Sequence, residues 1–240
     1  MGREKLFGMT LNELVAVTRR SGLPGYSAKQ IADWLYRKEI RSISEMSNLS
    51  AKTRELLSEH YEFGLADPAG SAVSSDGTKK YLYSVLENKY IETAYIPEDH
   101  RATVCLSSQC GCKMGCIFCM TGKQGFQGNL SSNEILNQFR SLPEFRTLTN
   151  IVYMGMGEPL DNLTEVLKSL EILTSDWGYG WSPSRITVST IGLTDGIKEY
   201  LEKSRCHLAV SLHSPFDEER KKLIPVQKTN ELREVLEIIR

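Results

Sequence analysis

Three cysteines within eight residues form the most distinctive chemical grouping of this 240-residue chain. Cys112, Cys116 and Cys119 follow the spacing CxxxCxxC. Structural zinc and ordinary ferredoxin clusters are held by four protein ligands. Three closely spaced thiolates instead hold three irons of a cubane iron–sulfur cluster and leave the fourth iron open. Because an open iron can bind a small molecule and pass it an electron, the spacing indicates a reaction centre.

The same cysteines also fit a second kind of site. A zinc knuckle would use them with a distant fourth ligand, such as Cys110 or a histidine. Their position favours the iron–sulfur interpretation, because they follow the predicted first strand of an alternating strand–helix array. Such folds bind their ligands at the carboxyl ends of the strands.

A glycine-rich turn, Gly155-Met-Gly-Glu-Pro, follows the second predicted strand of the array. A turn of this kind is weak evidence when it stands alone. Glycines do let a ligand approach the backbone, and the carboxylate of Glu158 can hold an ammonium group. An open iron and an ammonium site one turn apart would together chelate a methionine-type ligand.

Small polar groups stand at the ends of two further predicted strands. Ser189 ends one of them, and Ser211, Leu212, His213 and Ser214 end the other. Turn or capping chemistry explains each serine as well as ligand binding does. Their hydroxyls would face the same edge as the cysteines and could bind a ribose or a carboxylate there, whereas His213 is expected to hydrogen-bond within the sheet wall.

Four further residues have no special standing by themselves. Glu92 lies in a predicted strand, where glutamate is usually solvated. Cys105, Cys110 and Cys206 are expected to be small buried hydrophobic residues.

The elements that must position these groups fall into three regions. Residues 1–66 are predicted to form a helical domain with capping boxes at Thr10/Glu13 and Ser27/Gln30, and a third helix over 50–61. Residues 67–100 are predicted to hold a loop over 67–71 and a β-hairpin of residues 80–86 and 90–96, turning at 87–89. Residues 101–240 alternate between strand and helix patterns, which predicts the fold class α/β with a partial (βα) barrel.

The alternation has predicted boundaries that the structure can test. The predicted strands are 102–106, 151–154, 186–191 and 208–212. A capping box at Ser131/Glu134 begins one helix, and Asn230 is predicted to cap the last. Four strand–helix units do not close a barrel, and the last helix has no C-cap before Arg240, so we expect the natural chain to continue further.

Composition excludes several classes of protein. The chain is 40% hydrophobic and 25% charged with a net charge of −1, as expected for a globular protein. It has no apolar run of membrane-spanning length and no signal-peptide core, and its clustered cysteines suit a reducing compartment, so a cytoplasmic protein is expected. A basic face for nucleic acid is not excluded by the net charge, and its candidates are Lys79, Lys80, Arg101, Lys113 and Lys123.

Several segments, taken together, match a known family. They are Ile91-Glu-Thr-Ala-Tyr-Ile-Pro97, Val104-Cys-Leu-Ser-Ser-Gln109, the cysteine loop with Thr121-Gly122, Gly157-Glu-Pro-Leu160 and Ser211-Leu-His213. Over essentially its whole length the chain resembles the RlmN/Cfr family of radical S-adenosylmethionine (SAM) RNA methyltransferases. The Gly-Met-Gly-Glu-Pro turn is more similar to the RlmN branch than to the Cfr branch.

The resemblance implies a function and a role for each site residue. Cys112, Cys116 and Cys119 would ligate a 4Fe–4S cluster, and SAM would be bound by Gly157, Glu158, Ser189, Leu212, His213 and Ser214. Glu92 would accept the proton of the substrate carbon, and Cys105 would release the product by forming a disulfide bond with a methyl-bearing cysteine. The implied reaction is methylation of adenosine C2 in 23S rRNA and beside the anticodon of tRNA, by a monomer served by an electron donor such as flavodoxin.

The chain departs from the family pattern in two places. The methyl-carrying cysteine belongs to a C-terminal segment that these 240 residues lack, so we expect this chain alone not to complete methyl transfer. Gly128 stands where many members have arginine. Two alternatives remain open, namely a Cfr-type C8 methyltransferase and a zinc-stabilised, non-catalytic RNA-binding module.

Overall fold

The computed structural model describes residues 2–86 and 88–240, and it is built around a mixed β-sheet with helices on one face. The strands are β1 (Glu4–Lys5), β2 (Tyr61–Glu62), β3 (Gly70–Val73), β4 (Lys79–Val85), β5 (Lys89–Pro97), β6 (Ala102–Cys105), β7 (Gln109–Cys110), β8 (Gly128–Asn129), β9 (Asn150–Tyr153), β10 (Ile186–Thr190) and β11 (His207–Val210). The helices are α1 (Leu11–Arg20), α2 (Ser27–Tyr36), α3 (Ala51–His60), α4 (Met120–Lys123), α5 (Ser132–Arg140), α6 (Leu163–Thr174), α7 (Thr194–Lys203), α8 (Asp217–Leu223) and α9 (Leu232–Ile238). Short 3-10 turns connect several of them.

The three predicted N-terminal helices are present, but one of the two predicted capping boxes is wrong. Thr10 and Glu13 form the first box, with the Thr10 amide donating to the Glu13 carboxylate at 2.7 Å. Ser27 does not cap α2, because the chain already has helical dihedral angles at Tyr26, and a cap residue needs an extended backbone. Ser50 caps α3 by accepting a hydrogen bond from the Thr53 amide at 3.1 Å.

The predicted hairpin is confirmed to within one residue on each strand, and it belongs to a larger sheet. Gly70 and Ser71, predicted as loop, begin β3, which pairs antiparallel with β4. On the other side β5 pairs antiparallel with β6, so the hairpin extends the parallel array. Of the predicted turn at 87–89, Glu87 lies outside the described residues, and Asn88 has a left-handed φ of 69°.

The main sheet has seven strands in the order β11-β10-β9-β6-β5-β4-β3. The strands β6, β9, β10 and β11 are parallel, as the strand–helix alternation predicted. One face is buried under helices: the Thr93 hydroxyl donates to Gln138 of α5 at 2.7 Å, and Tyr153 hydrogen-bonds to Ser169 of α6 at 2.7 Å. The other face carries the alternate side chains and is partly exposed.

The N-terminal helices share their core with the sheet. One cluster of buried apolar side chains runs from Leu6 to Val235. At its border, the Asn133 amide of α5 donates to the carbonyls of Phe7 and Gly64 at 2.9 and 2.8 Å. The domain boundaries at residues 66 and 100 stay a prediction.

The last helices differ from the prediction. Asn230 does not cap α9, which follows Glu231. Its side chain instead accepts hydrogen bonds from the amide and hydroxyl of Thr194, tying the start of α9 to α7. Helix α8 was not predicted, because its run of charges lacks an apolar stripe. Within the described residues, no helix combines the length and the apolar character needed to cross a membrane.

Candidate functional site

The two residues with implied catalytic roles lie on the open face of the sheet. Cys105 is paired with Ala94 across β5 and β6, and Glu92 lies two residues from Ala94 along β5. Because side chains alternate along a strand, Glu92 and Cys105 are diagonal neighbours on one face. The Glu92 carboxylate is exposed and forms an ion pair with Lys80 at 3.2 Å.

Cys105 is held as a neutral thiol. Burial raises the pKa of Cys105 to about 11, although a hydrogen bond from the Met154 amide works in the opposite direction. A thiol with such a pKa is almost entirely protonated at neutral pH and is a poor nucleophile until a base removes its proton.

Backbone contacts attach Glu92 to the glycine-rich turn. The Ser107 hydroxyl donates to the Glu92 carbonyl at 2.6 Å and accepts from the Met156 amide at 2.8 Å. The Glu92 amide in turn donates to the Met156 sulfur at 3.3 Å. The turn that follows β9 is therefore fixed beside the strand that carries Glu92.

Close contacts with neighbouring residues of the chain require glycine at both glycine positions in the turn. A Cβ on Gly155 would lie 2.7 Å from the Ser107 hydroxyl, and one on Gly157 would lie 2.5 Å from the Gln109 Cβ. Gly157 also has a φ of +99°, which side-chain-bearing residues rarely adopt. The sequence suggested close approach of a ligand at these positions, and the structure shows close approach of the segment that leads into the cysteine loop.

Glu158 is buried, with 4% of its surface exposed. One carboxylate oxygen accepts from the Thr190 hydroxyl at 2.7 Å and from the Leu160 amide at 3.1 Å, and the other accepts from the Ile191 amide at 2.9 Å. Burial raises the pKa of Glu158, while these three bonds oppose the shift. A carboxylate has about four acceptor positions, so one remains for a further donor such as a ligand ammonium.

The three cysteines of the loop form one electrostatic group. Burial raises the pKa of Cys116 to about 11, and the neighbouring Cys112 and Cys119 act in the same direction. The Cys119 amide donates to the Cys116 carbonyl at 3.1 Å, which closes the loop just before α4. Within residues 2–86 and 88–240, no three His, Cys, Asp or Glu side chains converge on a single ion position.

This donor set fits an iron–sulfur cluster. The three thiols are free, close enough to influence one another, and partly or fully shielded from water. Because the irons of a cubane occupy separate corners, its ligands stand further apart than the ligands of one ion. Bound metal would also lower the pKa values of these thiols, because a thiol that coordinates a metal is deprotonated.

The loop rests against the ends of two parallel strands. Cys116 packs with Ile191, just after β10, and with Ile224, just after α8. The Phe118 ring lies 4.3 Å from the His213 ring, centre to centre. The cysteine loop and the segment after β11 are therefore in direct contact.

The predicted serines divide into two groups. Ser189 and Ser211 bring their hydroxyls to within 3.4 Å at adjacent strand ends. Ser214 is buried, and its hydroxyl donates to Glu219 at 2.8 Å and accepts from the Phe216 amide at 3.1 Å. The Ser214 hydroxyl thus serves the turn before α8. Leu212 and His213 are exposed, so the expectation that His213 lies within the sheet wall is wrong: His213 follows the end of β11, and its ring lies against Phe118.

Two buried polar residues of the site were missed in the sequence. Gln109 accepts from the Glu158 amide at 2.9 Å and donates to Asn129 and Asp161 at 2.8 and 2.7 Å. Arg220 of α8 is fully buried. The sequence carried no signal for either, because glutamine and arginine in polar runs are usually solvated.

The candidate basic residues are mostly paired. Lys79, Lys80, Arg101 and Lys113 form ion pairs with Glu144, Glu92, Glu98 and Asp161 respectively.

At Gly128, a Cβ would lie 2.6 Å from the Leu86 side chain, so a larger residue there requires Leu86 to move.

Two known protein-family profiles match different parts of the chain. The profile of the Radical SAM superfamily matches residues 106–240, and that of the ribosomal RNA large subunit methyltransferase N-terminal domain matches residues 4–63. A crystal structure of a radical SAM methyltransferase from Sphaerobacter thermophilus superposes with a TM-score of 0.90 at 34% identity, covering 98% of this chain and 71% of that one. This similarity confirms the fold class as a partial radical SAM barrel with additional elements.

Curated relatives are similar over nearly the entire chain. A probable dual-specificity RNA methyltransferase RlmN of Parabacteroides distasonis is 58% identical over 238 residues, which cover 99% of this chain and 69% of the relative. The protein of the same description from Bacteroides thetaiotaomicron is 56% identical over 240 residues, covering 100% of this chain and 70% of the relative. With both domain profiles matched and identities well above 30%, the chain belongs to the RlmN family of the radical SAM superfamily.

Proposed function

We propose that the chain acts in the methylation of adenosine C2 in RNA, with 23S rRNA and tRNA as substrates. The observation that carries the proposal is the meeting of three features at one edge of the sheet: the free thiols of the cysteine loop, the buried Glu158 turn, and Glu92 beside Cys105 on the open face. The names of the relatives support an RNA substrate. RNA of this kind is found in the cytoplasm, the location expected from the sequence.

The binding roles follow the placement of the residues. Cys112, Cys116 and Cys119 would hold a 4Fe–4S cluster, which when bound supplies the electron for reductive cleavage of SAM. The free acceptor position of Glu158 would receive the ammonium group of SAM. Ser189 and the segment of residues 212–214 would line the rest of its pocket, while Gly157 keeps the turn close to the segment that leads into the cysteine loop.

The catalytic roles belong to the open face. Glu92 is exposed and paired with Lys80, so its carboxylate is available to take a proton from the target carbon. Cys105, the diagonal neighbour of Glu92 on the adjacent strand, carries a proton that must be lost before its sulfur can form a disulfide bond. A flavodoxin-like electron donor and a monomeric state stay predictions.

Anaerobic purification tests the cluster. We expect a brown protein containing iron and sulfide, and loss of both in C116A. Cys206 is buried away from the loop and provides the matched control, so C206A should keep its iron. A colourless protein carrying zinc would instead support the non-catalytic RNA-binding alternative.

The target atom is tested in cells. Digested ribosomal RNA from cells lacking the gene should show loss of C2-methyladenosine by mass spectrometry, and the gene should restore it. Loss of C8-methyladenosine would support the Cfr-type alternative, and unchanged methylation at both atoms would refute an RNA methyltransferase role.

A further inference from the structure

Arg220 is a fully buried arginine that none of the roles above uses. Its guanidinium donates to the Ile191 carbonyl at 2.5 Å, the Leu212 carbonyl at 3.1 Å and the Ser211 carbonyl at 3.2 Å. It also donates to the side chain of Gln227. One side chain of α8 thereby joins the ends of β10 and β11, the two strand ends where the SAM pocket is expected.

The partners of this guanidinium in the described part of the chain are all neutral oxygens. A buried charge is costly unless another charge compensates it. Asp217 is nearby, but its carboxylate accepts a hydrogen bond from Gln227 at 2.8 Å. Burial lowers the pKa of Arg220, and Asp217 acts against this shift. The guanidinium donates to the carbonyl of Ile191, and the Ile191 side chain packs against Cys116, so the positive charge lies next to the cysteine loop.

Helix α8 is also attached to the cysteine loop by packing and by a hydrogen bond. Ile224, which follows α8, is fully buried against Cys116 and Ile191. The Ile117 amide of the loop donates to the Leu223 carbonyl at the end of α8, at 3.1 Å. A displacement of α8 would therefore move the loop as well as the strand ends.

We propose that Arg220 is a positioning residue that supplies the counter-charge of the iron–sulfur cluster and holds the ends of β10 and β11 at the SAM pocket. The inference rests on the proposed function, because it requires a cluster on the three cysteines. Three thiolates make such a cluster anionic, and reduction adds an electron. A nearby fixed positive charge favours the reduced form, since net charge and surroundings set the potential of iron–sulfur clusters.

Two substitutions separate the charge from the hydrogen bonds. R220Q removes the positive charge but keeps an amide that can donate to a carbonyl. R220K keeps the positive charge but loses the planar guanidinium group, whose several N–H donors reach more than one carbonyl at once. R233Q is the matched control, because Arg233 lies on the surface of α9 with 84% of its side chain exposed and changes the net charge equally.

The measurements are iron content, the midpoint potential of the cluster by EPR-monitored titration, and the SAM dissociation constant of the anaerobically reconstituted chain. We expect R220Q to shift the potential to more negative values, R220K and R233Q to keep it, and R220K to weaken SAM binding severalfold. If R220Q fails to fold, R220K tests the positioning role: severalfold weaker SAM binding with an unchanged potential supports the proposal, and unchanged SAM binding overturns it.

The negative results are distinguishable. A wild-type protein without iron and sulfide would overturn the proposed function together with this inference. A wild-type cluster whose potential is the same in R220Q, or shifted in R220K as well, would overturn only the role of Arg220.

Discussion

The substitution Gly111→Ala should destabilise the chain more than Gly125→Ala, although the two glycines have the same backbone conformation. Gly111 has a φ of +73° and Gly125 a φ of +72°. A Cβ on Gly111, immediately before Cys112, would overlap the carbonyl oxygen of Gly125, whereas a Cβ on Gly125 would meet nothing within 4 Å. The pair therefore separates backbone strain from steric overlap within one loop.

The expected magnitudes follow from these two effects. The left-handed conformation costs an alanine about 1–2 kcal/mol in both variants. Overpacking adds about 1–3 kcal/mol in G111A alone, because the overlapped atom belongs to the backbone and cannot rotate away. The reduced freedom of the unfolded chain is the same for both changes and cancels. G111A should thus be about 1–3 kcal/mol less stable than G125A.

Urea unfolding followed by circular dichroism measures the difference, and iron content after anaerobic reconstitution measures its effect on the cysteine loop. We expect a lower midpoint and less bound iron for G111A than for G125A. Equal midpoints for the two variants would refute the assignment of Gly111 as a site of close backbone approach.

Two further outcomes can be measured by unfolding. Thr190→Val keeps the side-chain shape but removes a hydrogen bond to the buried Glu158. The free energy of unfolding, measured by chemical denaturation, should fall by about 1–3 kcal/mol. An unchanged midpoint would show that the carboxylate does not depend on this hydroxyl. Glu144 is partly buried, which would raise its pKa, but hydrogen bonds from Lys79 and Tyr81 prevail and hold the pKa below the usual 4.5. Its contribution to stability is therefore complete above pH 4.5 and is lost as pH falls through the lower, folded-state pKa. E144Q should lower the thermal midpoint at pH 7 and approach the wild type in acid, and a difference that does not shrink as the pH falls below 4.5 would contradict this assignment.

Much of the local structure could be predicted from neighbouring residues. The boxes at Thr10/Glu13 and Ser131/Glu134 are confirmed, because the partners of each lie three residues apart and their bonds form within one helical turn. The hairpin is confirmed for a similar reason, since its two strands are adjacent in the chain. Ser27 and Asn230 could not be predicted in this way, although both are residue types that often cap helices. Ser27 lies one residue inside α2, and Asn230 accepts a hydrogen bond from Thr194 instead of capping α9.

Sequence alone determined the family of this chain and the residue types of its candidate site, because the spacing of Cys112, Cys116 and Cys119 and the residues of the glycine-rich turn are properties of the covalent chain. Tertiary structure alone decided how those groups are supported. It placed Glu92 on the face of Cys105 through strand register, filled two acceptor positions of Glu158 from the end of β10, and buried Arg220 against the carbonyls that follow β10 and β11. These contacts join residues far apart in the chain, and only the packing of the sheet and its helices brings them within hydrogen-bonding distance.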